Sequence, residues 1–344
     1  MTFVATCLVS GVYLYWAWNH SLMPGEALIE IKPKMPLKAI ANHLSQRKIL
    51  PESYSFILLA YLSGHDRDLK SGEYRFPNGI SAKEMLDRMV AGRVIEYPVV
   101  LLEGRTFGQF LQTLAEAPKL TLTLRGLAPD IIMDRLGRMG EHPEGRFFPD
   151  TYYYSAGQSD LKILTIAYEK MQKLLLQEWE QRDAGLPLKD PYSALILASI
   201  VEKETGRANE RRIIAGVFIN RLRRGMRLQS DPSVIYGMGL QFDGNIRLKD
   251  LKHDTPYNTY TRGGLPPTPV AMPGKDSLLA VLHPEQTNAL YFVARGDGTH
   301  EFTSTLEDHN KAVIKYQLKG KPKMPTSSQV IIQSTDVNKS QLKK

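Results

Sequence analysis

From Met1 to Gly25 the chain contains no aspartate, glutamate, lysine or arginine. The stretch from Phe3 to Trp18 is almost wholly apolar, and two tyrosines and two tryptophans cluster at its end. Such aromatic clusters are typical of the membrane–water interface. Because a transmembrane helix needs about 20 residues, the pattern predicts a single membrane anchor over residues 1–20.

A cleaved signal peptide and a buried helix are the alternatives for this segment. Ser21-Leu22-Met23 is a poor match to the A-x-A-like site at which a signal peptide is cleaved, which favours a retained anchor. No lysine or arginine precedes the segment, so the positive-inside rule leaves its orientation open.

The composition limits the chemistry of the rest of the chain. Its 344 residues suggest two or three domains. There are 44 lysines and arginines against 36 acids, a net charge of +8, which suits a nucleic acid, an anionic membrane surface or an acidic polymer. Cys7 is the single cysteine, so an intramolecular disulfide and a cysteine zinc site are excluded. The eight histidines show no metal-binding spacing, and we expect neither a metal nor a cofactor.

Residues 27–95 are predicted to form a small α+β lobe. Ala27–Ile31 and Gly72–Phe76 have the character of short strands, with helical spacing of apolar residues between them. Ser81 and Glu84 have the spacing of a capping box, which begins a helix that Gly92 ends. This arrangement suits a small binding module, and a purely structural lobe is the alternative.

Residues 96–318 are predicted to form a larger α+β domain, and 319–344 a mobile tail. The apolar patterns predict a strand over 94–102, a β-hairpin of strands 290–294 and 300–303, and helices over about 106–117, 161–182, 191–204 and 208–223. The Gly- and Pro-rich stretch 225–274 is predicted to be a loop region. The aromatic patch at 147–154 is interpreted as core, with sugar stacking as the alternative.

The segment Ala194–Gly206 is the strongest candidate for catalysis, because an apolar helix there ends in two glutamates. Residues three and four apart share a helix face, so Glu204 lies above Ile200 and Val201. Glu202 lies above a less apolar face. Removal from water and the negative end of the helix dipole both raise the pKa of Glu204. A carboxyl group that stays protonated near neutral pH can protonate a glycosidic oxygen.

Glu202 and Glu204 cannot form a two-carboxylate pair, because residues two apart point to opposite sides of a helix. Either a second acid comes from elsewhere, such as Asp231, or one glutamate performs the chemistry. The alternative is that both are solvated surface acids paired with Lys203, Arg207 or Arg211.

Six motifs stand out in this domain. They are Ala198-Ser199-Ile200-Val201-Glu202-Lys203-Glu204-Thr205, Val217-Phe218-Ile219-Asn220-Arg221-Leu222, Met226-Arg227-Leu228-Gln229-Ser230-Asp231-Pro232, Val234-Ile235-Tyr236-Gly237, Tyr257-Asn258-Thr259-Tyr260 and Gly264-Leu265-Pro266-Pro267. With these motifs the chain resembles one known family, the endolytic murein transglycosylases, also called YceG-like, over about residues 27–318.

The resemblance implies an inner-membrane protein with a single span and its bulk in the periplasm. It implies a LysM-like first lobe, a lytic transglycosylase domain, and contact with glycan-polymerising synthases. The implied reaction cuts the β-1,4 bond between N-acetylmuramic acid and N-acetylglucosamine in nascent peptidoglycan, and leaves a 1,6-anhydro-muramic acid end. Endolytic cutting and termination of glycan polymerisation follow from the resemblance alone.

The family's catalytic glutamate falls on Glu204, which the helix argument also selects. The resemblance places Tyr257 and Asn258 near the scissile bond. The candidates for positioning the sugars are, in full, Gln229, Asp231, Tyr236, Tyr257 and Asn258.

Three other functions compete with this interpretation. A non-catalytic peptidoglycan-binding scaffold of the cell-wall synthesis machinery would also carry a LysM-like lobe. A pyridoxal-phosphate enzyme using Lys203 is disfavoured, because no glycine-rich phosphate cradle accompanies that lysine. A nucleic-acid binder is suggested by net charge alone and lacks a concentrated basic stripe.

Overall fold

The computed structural model describes residues 2–22 and 25–318, with the side chains of 2–7 left out. It divides into two compact units. The first comprises the residues up to Val99 with Leu114–Thr123 and Thr151–Lys162. The second comprises Val100–Thr113, Leu124–Asp150 and the chain from Ile163 onward.

The described residues form a mixed α+β structure. The strands are β1 (Ala27–Ile31), β2 (Gly72–Phe76), β3 (Glu96–Val100), β4 (Thr151–Ser155), β5 (Tyr291–Ala294) and β6 (His300–Thr303). The helices are α1 (Thr2–Asn19), α2 (Leu37–Gln46), α3 (Tyr54–Leu62), α4 (Ala82–Ala91), α5 (Phe107–Glu116), α6 (Pro129–Arg135), α7 (Asp160–Glu180), α8 (Pro191–Glu204), α9 (Arg211–Arg223), α10 (Asp231–Met238), α11 (Leu248–Lys252), α12 (Lys275–Leu282) and α13 (Leu306–Tyr316).

The first unit is built on the antiparallel pair β1–β2, in which Ala27 lies opposite Phe76. Helices α2, α3 and α4 bury their apolar faces against this pair. The predicted capping box at the start of α4 is present, since Ser81 and Glu84 exchange side-chain and backbone hydrogen bonds. Gly92 ends α4 in the left-handed conformation, with φ of 70°. Both signals predicted from the sequence are therefore confirmed.

Helix α1 reaches the first unit at its C-terminal end, where the Trp18 indole N–H donates to the carbonyl oxygen of Ser55 (2.9 Å). No helix in the described ranges 2–22 and 25–318 is long and apolar enough to cross a membrane. The anchor over residues 1–20 stays a prediction.

The core of the second unit surrounds α8. The eight residues from Ala194 to Val201 are buried, and α9 and α12 pack on this segment. Pro191 occupies the first turn of α8, and the Asp190 side chain accepts the N–H of Ser193 as its cap. Capping and core packing therefore fix the position of this helix and of the glutamate at its end.

The structure corrects one prediction and confirms another. The stretch 225–274 is not loop throughout, because it contains α10 and α11. Its Gly and Pro content suggested a loop, but Pro232 stands at the start of α10, where a missing N–H costs nothing. The hairpin β5–β6 is confirmed, with Tyr291 opposite Thr303. The predicted tail 319–344 lies outside the described residues.

Candidate active site

Glu204 is the last residue of α8, and the chain leaves the helix at Thr205 in an extended conformation (φ −146°, ψ 138°). The helix thus places the Glu204 carboxylate at the edge of the core. The residue as a whole keeps partial exposure to solvent. This is the position the helical spacing predicted.

Glu202 points elsewhere and has a structural role. Its Oε2 accepts the backbone N–H of Gly274 (3.0 Å) and the hydroxyl of Ser277 (2.7 Å), so it caps the start of α12. Its side chain is 7% exposed and lies 3.9 Å from Arg211. The two glutamates are therefore not a solvated pair, and Glu204 alone is available for chemistry.

Among the described residues, one group donates a hydrogen bond to the Glu204 carboxylate, the Ser230 hydroxyl, which lies 2.7 Å from Oε1. Burial raises the pKa of Glu204 to about 7. The hydrogen bond from Ser230 and the charge of Arg221 lower this pKa, and the charge of Asp231 raises it. Near neutral pH the group therefore exists in both protonation states.

Asp231 is a second carboxylate beside Glu204, and it begins α10. The Tyr260 hydroxyl donates to Asp231 Oδ1 at 2.6 Å. Burial raises the pKa of Asp231, and the hydrogen bond from Tyr260 lowers it. Because Tyr260 is 6% exposed, the fold fixes the position of its hydroxyl and of the Asp231 carboxylate that accepts its hydrogen bond.

The guanidinium of Arg221 is a buried positive charge that lines the same cavity as Glu204 and Asp231. Its Nε donates to the carbonyl oxygen of Leu290 (2.7 Å) and its Nη1 to that of Leu228 (2.7 Å). No ion pair within 4.0 Å involves this guanidinium in the described part of the chain. Burial lowers the pKa of Arg221, and its charge favours the ionised form of Glu204.

Glu204 lines two cavities of the second unit. The first, the Arg221 cavity, has a volume of about 240 Å³. Its polar lining consists of Glu204, Arg221, Gln229, Asp231, Tyr260, His300, His309 and Gln317. The second, the Lys203 cavity, has a volume of about 320 Å³. It is lined by Glu103, Gly104, Arg105, Gln109, Glu202, Lys203, Glu204, Thr205 and Gly206.

The structure brings two of the five predicted sugar-binding residues to Glu204. Gln229 and Asp231 line the Arg221 cavity. Gln229 has left-handed backbone (φ 53°), a strained conformation that is concentrated at functional sites. Its backbone N–H donates to the carbonyl oxygen of Thr259 at 3.1 Å. The loop at Thr259 therefore fixes the backbone beside Ser230.

Tyr236, Tyr257 and Asn258 line neither of these two cavities in the described structure. The Tyr236 hydroxyl donates to Glu144 Oε2 (3.1 Å), and the Tyr257 hydroxyl lies 3.0 Å from that of Thr268. The two rings meet edge to face, with centroids 4.9 Å apart. Their contacts indicate a supporting role.

Asn258 is 1% exposed, and backbone groups occupy its amide. The Nδ2 group donates to the carbonyl oxygens of Leu251 (3.0 Å) and His253 (2.6 Å), and Oδ1 accepts the N–H of Tyr260 (2.8 Å). These contacts bind the end of α11 to the 257–260 loop. Direct sugar binding by this side chain finds no support in its contacts.

Sequence reasoning missed Ser230, Arg221 and Glu144. Ser230 and Arg221 lie inside motifs that the sequence singled out, but only the fold shows their contacts with the site. Glu144 is 4% exposed, and burial raises its pKa to about 7. It accepts the N–H of Phe107 at 3.0 Å and the Tyr236 hydroxyl at 3.1 Å, and no local sequence pattern predicts these contacts.

Within residues 2–22 and 25–318, no group of three or more His, Cys, Asp or Glu side chains could hold a metal ion.

The sequence model of the YceG-like family matches residues 29–315. The chain belongs to the YceG-like family. An endolytic murein transglycosylase of Bacillus subtilis is 30% identical to it over 330 residues, which cover 90% of this chain and 91% of the relative. One of Streptococcus pneumoniae serotype 2 is 26% identical over 357 residues, covering 92% of this chain and 64% of the relative.

A solved structure agrees with this assignment. The crystal structure of a YceG-like protein from Listeria monocytogenes is 27% identical, with a TM-score of 0.52. The match covers 83% of this chain and 98% of the Listeria chain. The family predicted from the motifs is confirmed.

Proposed function

We propose that this YceG-like chain is an endolytic murein transglycosylase. It cleaves the β-1,4 bond between N-acetylmuramic acid and N-acetylglucosamine without water and leaves a 1,6-anhydro-muramic acid end. The observation that carries the proposal is the position of Glu204, which lines two cavities and accepts a hydrogen bond from Ser230. Its burial raises its pKa to about 7. The names of the relatives agree with this reaction.

In the first step, protonated Glu204 donates its proton to the glycosidic oxygen, and the bond from that oxygen to the muramic anomeric carbon breaks. Positive charge develops at that carbon. Asp231 lines the Arg221 cavity together with Glu204, and the negative charge of its carboxylate stabilises the positive charge that develops at this carbon.

In the second step, the Glu204 carboxylate takes the proton of the muramic C6 hydroxyl while that oxygen bonds to the anomeric carbon. The 1,6-anhydro ring closes and Glu204 is again protonated. The nucleophile belongs to the substrate, so its proximity lowers the barrier. Ser230 and Arg221 stabilise the carboxylate between the two steps. A pKa near the working pH allows one residue to serve as acid and then as base.

The two cavities support cutting within a strand. Glu204 borders both the Arg221 cavity and the Lys203 cavity, so sugars on either side of the scissile bond have space. Gln229 and Asp231 are the residues we propose to hold the sugar in the first cavity. Tyr236, Tyr257 and Asn258 act on the substrate only through the loops that they support.

We also propose that residues 1–20 hold the chain at the bacterial inner membrane, with its bulk in the periplasm beside glycan-polymerising synthases. The absence of charge from Met1 to Gly25 supports this. So does the exposure of large apolar side chains along α1, such as Val9 (70%) and Val12 (68%). In the proposed arrangement the LysM-like first unit lies close to the membrane, where strands are made, and cleavage terminates their polymerisation.

The oxygen of the new chain end tests the reaction. Uncrosslinked glycan strands are digested by the full-length chain in water enriched in heavy oxygen, and the products are weighed by mass spectrometry. We expect anhydro ends without the heavy isotope. Heavy oxygen at a reducing end would identify a hydrolase, in which Asp231 would activate water.

A further inference from the structure

Helix α3 is unusual for a helix at a protein surface, because none of its nine residues is charged. One side belongs to the core of the first unit, where Phe56, Leu59 and Ala60 are buried. A surface helix normally presents charged and polar residues on its opposite side. The opposite side of α3 does not.

Four large side chains on that side are exposed and form what we name the α3 stripe. They are Tyr54 (80%), Leu58 (39%), Tyr61 (60%) and Leu62 (68%). The spacing of four, seven and eight residues places them on one helix face. Contiguous exposed apolar surface of this kind marks a site of interaction with a protein or a membrane.

An apolar helix adjoins the N-terminal end of the stripe. Trp18 of α1 donates its indole N–H to the carbonyl oxygen of Ser55, in the first turn of α3. The preceding residues of α1 expose Tyr15 (72%) and Trp16 (51%). The neighbour at this end is thus aromatic, apolar and without charge.

A basic pocket adjoins the other end. Tyr61 lines a cavity of about 500 Å³ together with Lys32, Lys34, Lys38 and Arg67. Asp66 is the acid in this lining, and it lies 3.6 Å from Arg67. None of the three lysines takes part in an ion pair within the part of the chain that the structure describes. The pocket therefore carries excess positive charge beside the stripe.

Three surfaces follow one another along α3, namely the apolar helix α1, the tyrosines and leucines of the α3 stripe, and the lysines of the basic pocket. A helix of nine residues is about 13 Å long, so the surface changes from apolar to basic over that distance. A membrane presents the same order from its hydrocarbon to its headgroups, with tyrosine and tryptophan at the interface and lysine at anionic phosphates. A glycan partner would require more hydrogen-bonding groups than the tyrosine hydroxyls of the stripe.

We propose that the α3 stripe lies in the headgroup region of an anionic membrane, with Lys32, Lys34 and Lys38 at lipid phosphates. This contact holds the first unit against the bilayer in a fixed orientation. The inference rests on the membrane localisation proposed above, and the ligand is the lipid surface itself.

The test measures the environment of a probe on the stripe in the full chain. In a Cys7→Ser background, Leu62→Cys carries an environment-sensitive fluorophore, and Glu30→Cys, at an exposed position of β1, serves as the matched control. The protein is incorporated into phosphatidylcholine vesicles with or without phosphatidylglycerol. Leu62 is 68% exposed, so its substitution leaves the core intact.

We expect blue-shifted emission and quenching by lipid-borne quenchers at position 62, but not at 30, and a larger effect with phosphatidylglycerol. Replacing the three lysines by glutamine should abolish the dependence on phosphatidylglycerol. A probe at 62 that remains in water in both vesicles would overturn the proposal. Shielding that depends on protein concentration, equal in micelles and vesicles, would assign the stripe to a second copy. Failure of the full chain to float with vesicles would contradict the localisation as well.

Discussion

Replacing Ser230 by alanine removes the hydrogen bond that its hydroxyl donates to the Glu204 carboxylate at 2.7 Å. The acid must be protonated to start the reaction, so activity is expected below its pKa of about 7 and is lost as pH rises through that value. The hydrogen bond favours the ionised form and lowers this pKa. Its removal should therefore move the loss of activity to higher pH.

The size of this movement follows from the strength of the bond. A hydrogen bond to a charged group contributes about 1.5–3 kcal/mol. The protonated acid retains part of the interaction in the wild type, so we take the lower end. With about 1.4 kcal/mol for each pH unit, the alkaline limb of the activity profile should move up by about one pH unit.

The assay is the initial rate of anhydro-product release at a series of pH values, for the wild type and for Ser230→Ala. Ser233→Ala is the matched control, because the Ser233 hydroxyl donates to the carbonyl oxygen of Ser230 (2.8 Å) rather than to Glu204. The control should lose about 1 kcal/mol of stability, and the alkaline limb of its activity profile should not move. If the alkaline limb of Ser230→Ala stays at its wild-type pH or moves to lower pH, the reasoning is refuted.

Three further predictions concern stability. Between pH 4.5 and about 7 the folded state keeps the Glu204 proton that the unfolded state has lost, so the free energy of unfolding of the wild type falls as pH rises through this range. In urea unfolding, the free energy of unfolding of Glu204→Gln relative to the wild type should therefore rise by up to about 3 kcal/mol from pH 4 to pH 8. An equal difference between the two proteins at both pH values would contradict the account. Gly216→Ala should lower stability by about 1–3 kcal/mol, because the new Cβ would lie 2.5 Å from the Glu285 carbonyl oxygen. Gly108→Ala, whose new Cβ would have its nearest atom at 3.9 Å, should raise stability by up to about 1 kcal/mol, and thermal melts of the two variants test the difference. Asn258→Ala should lower stability by about 2 kcal/mol or more with little change in KM, and a large rise in KM at unchanged stability would support the predicted contact of Asn258 with the substrate.

Local signals in the sequence predicted much of the fold. The capping box at Ser81, the glycine at 92 and the hairpin turn after β5 depend on neighbouring residues, and each was found where predicted. Helix α3 was not predicted, because its uniformly apolar sequence shows no helical period. Helix α10 was hidden by its Gly- and Pro-rich surroundings, although Asp231-Pro232 is a recognisable helix start.

The site residues also differ in whether a local sequence signal could predict them. Glu204 could be selected from the helical spacing, because Ile200 and Val201, four and three positions before it in α8, are apolar and are buried in the structure. The Ser230 hydroxyl reaches it from 26 residues away, a contact that only the tertiary fold creates. Asn258 shows why residue type alone does not assign a role, since an amide that suits a sugar equally suits the carbonyl oxygens at a helix end, where its contacts lie.

The claim that one glutamate serves as both acid and base is tested most directly by comparing the products of Glu204→Gln and Asp231→Asn. Both full-length variants are incubated with uncrosslinked glycan strands, and the chain ends are identified by mass spectrometry. We expect Glu204→Gln to form no anhydro ends while still binding strands, and Asp231→Asn to form them slowly. Anhydro ends from Glu204→Gln at the wild-type rate would contradict the account, because another residue would then serve as the acid and base.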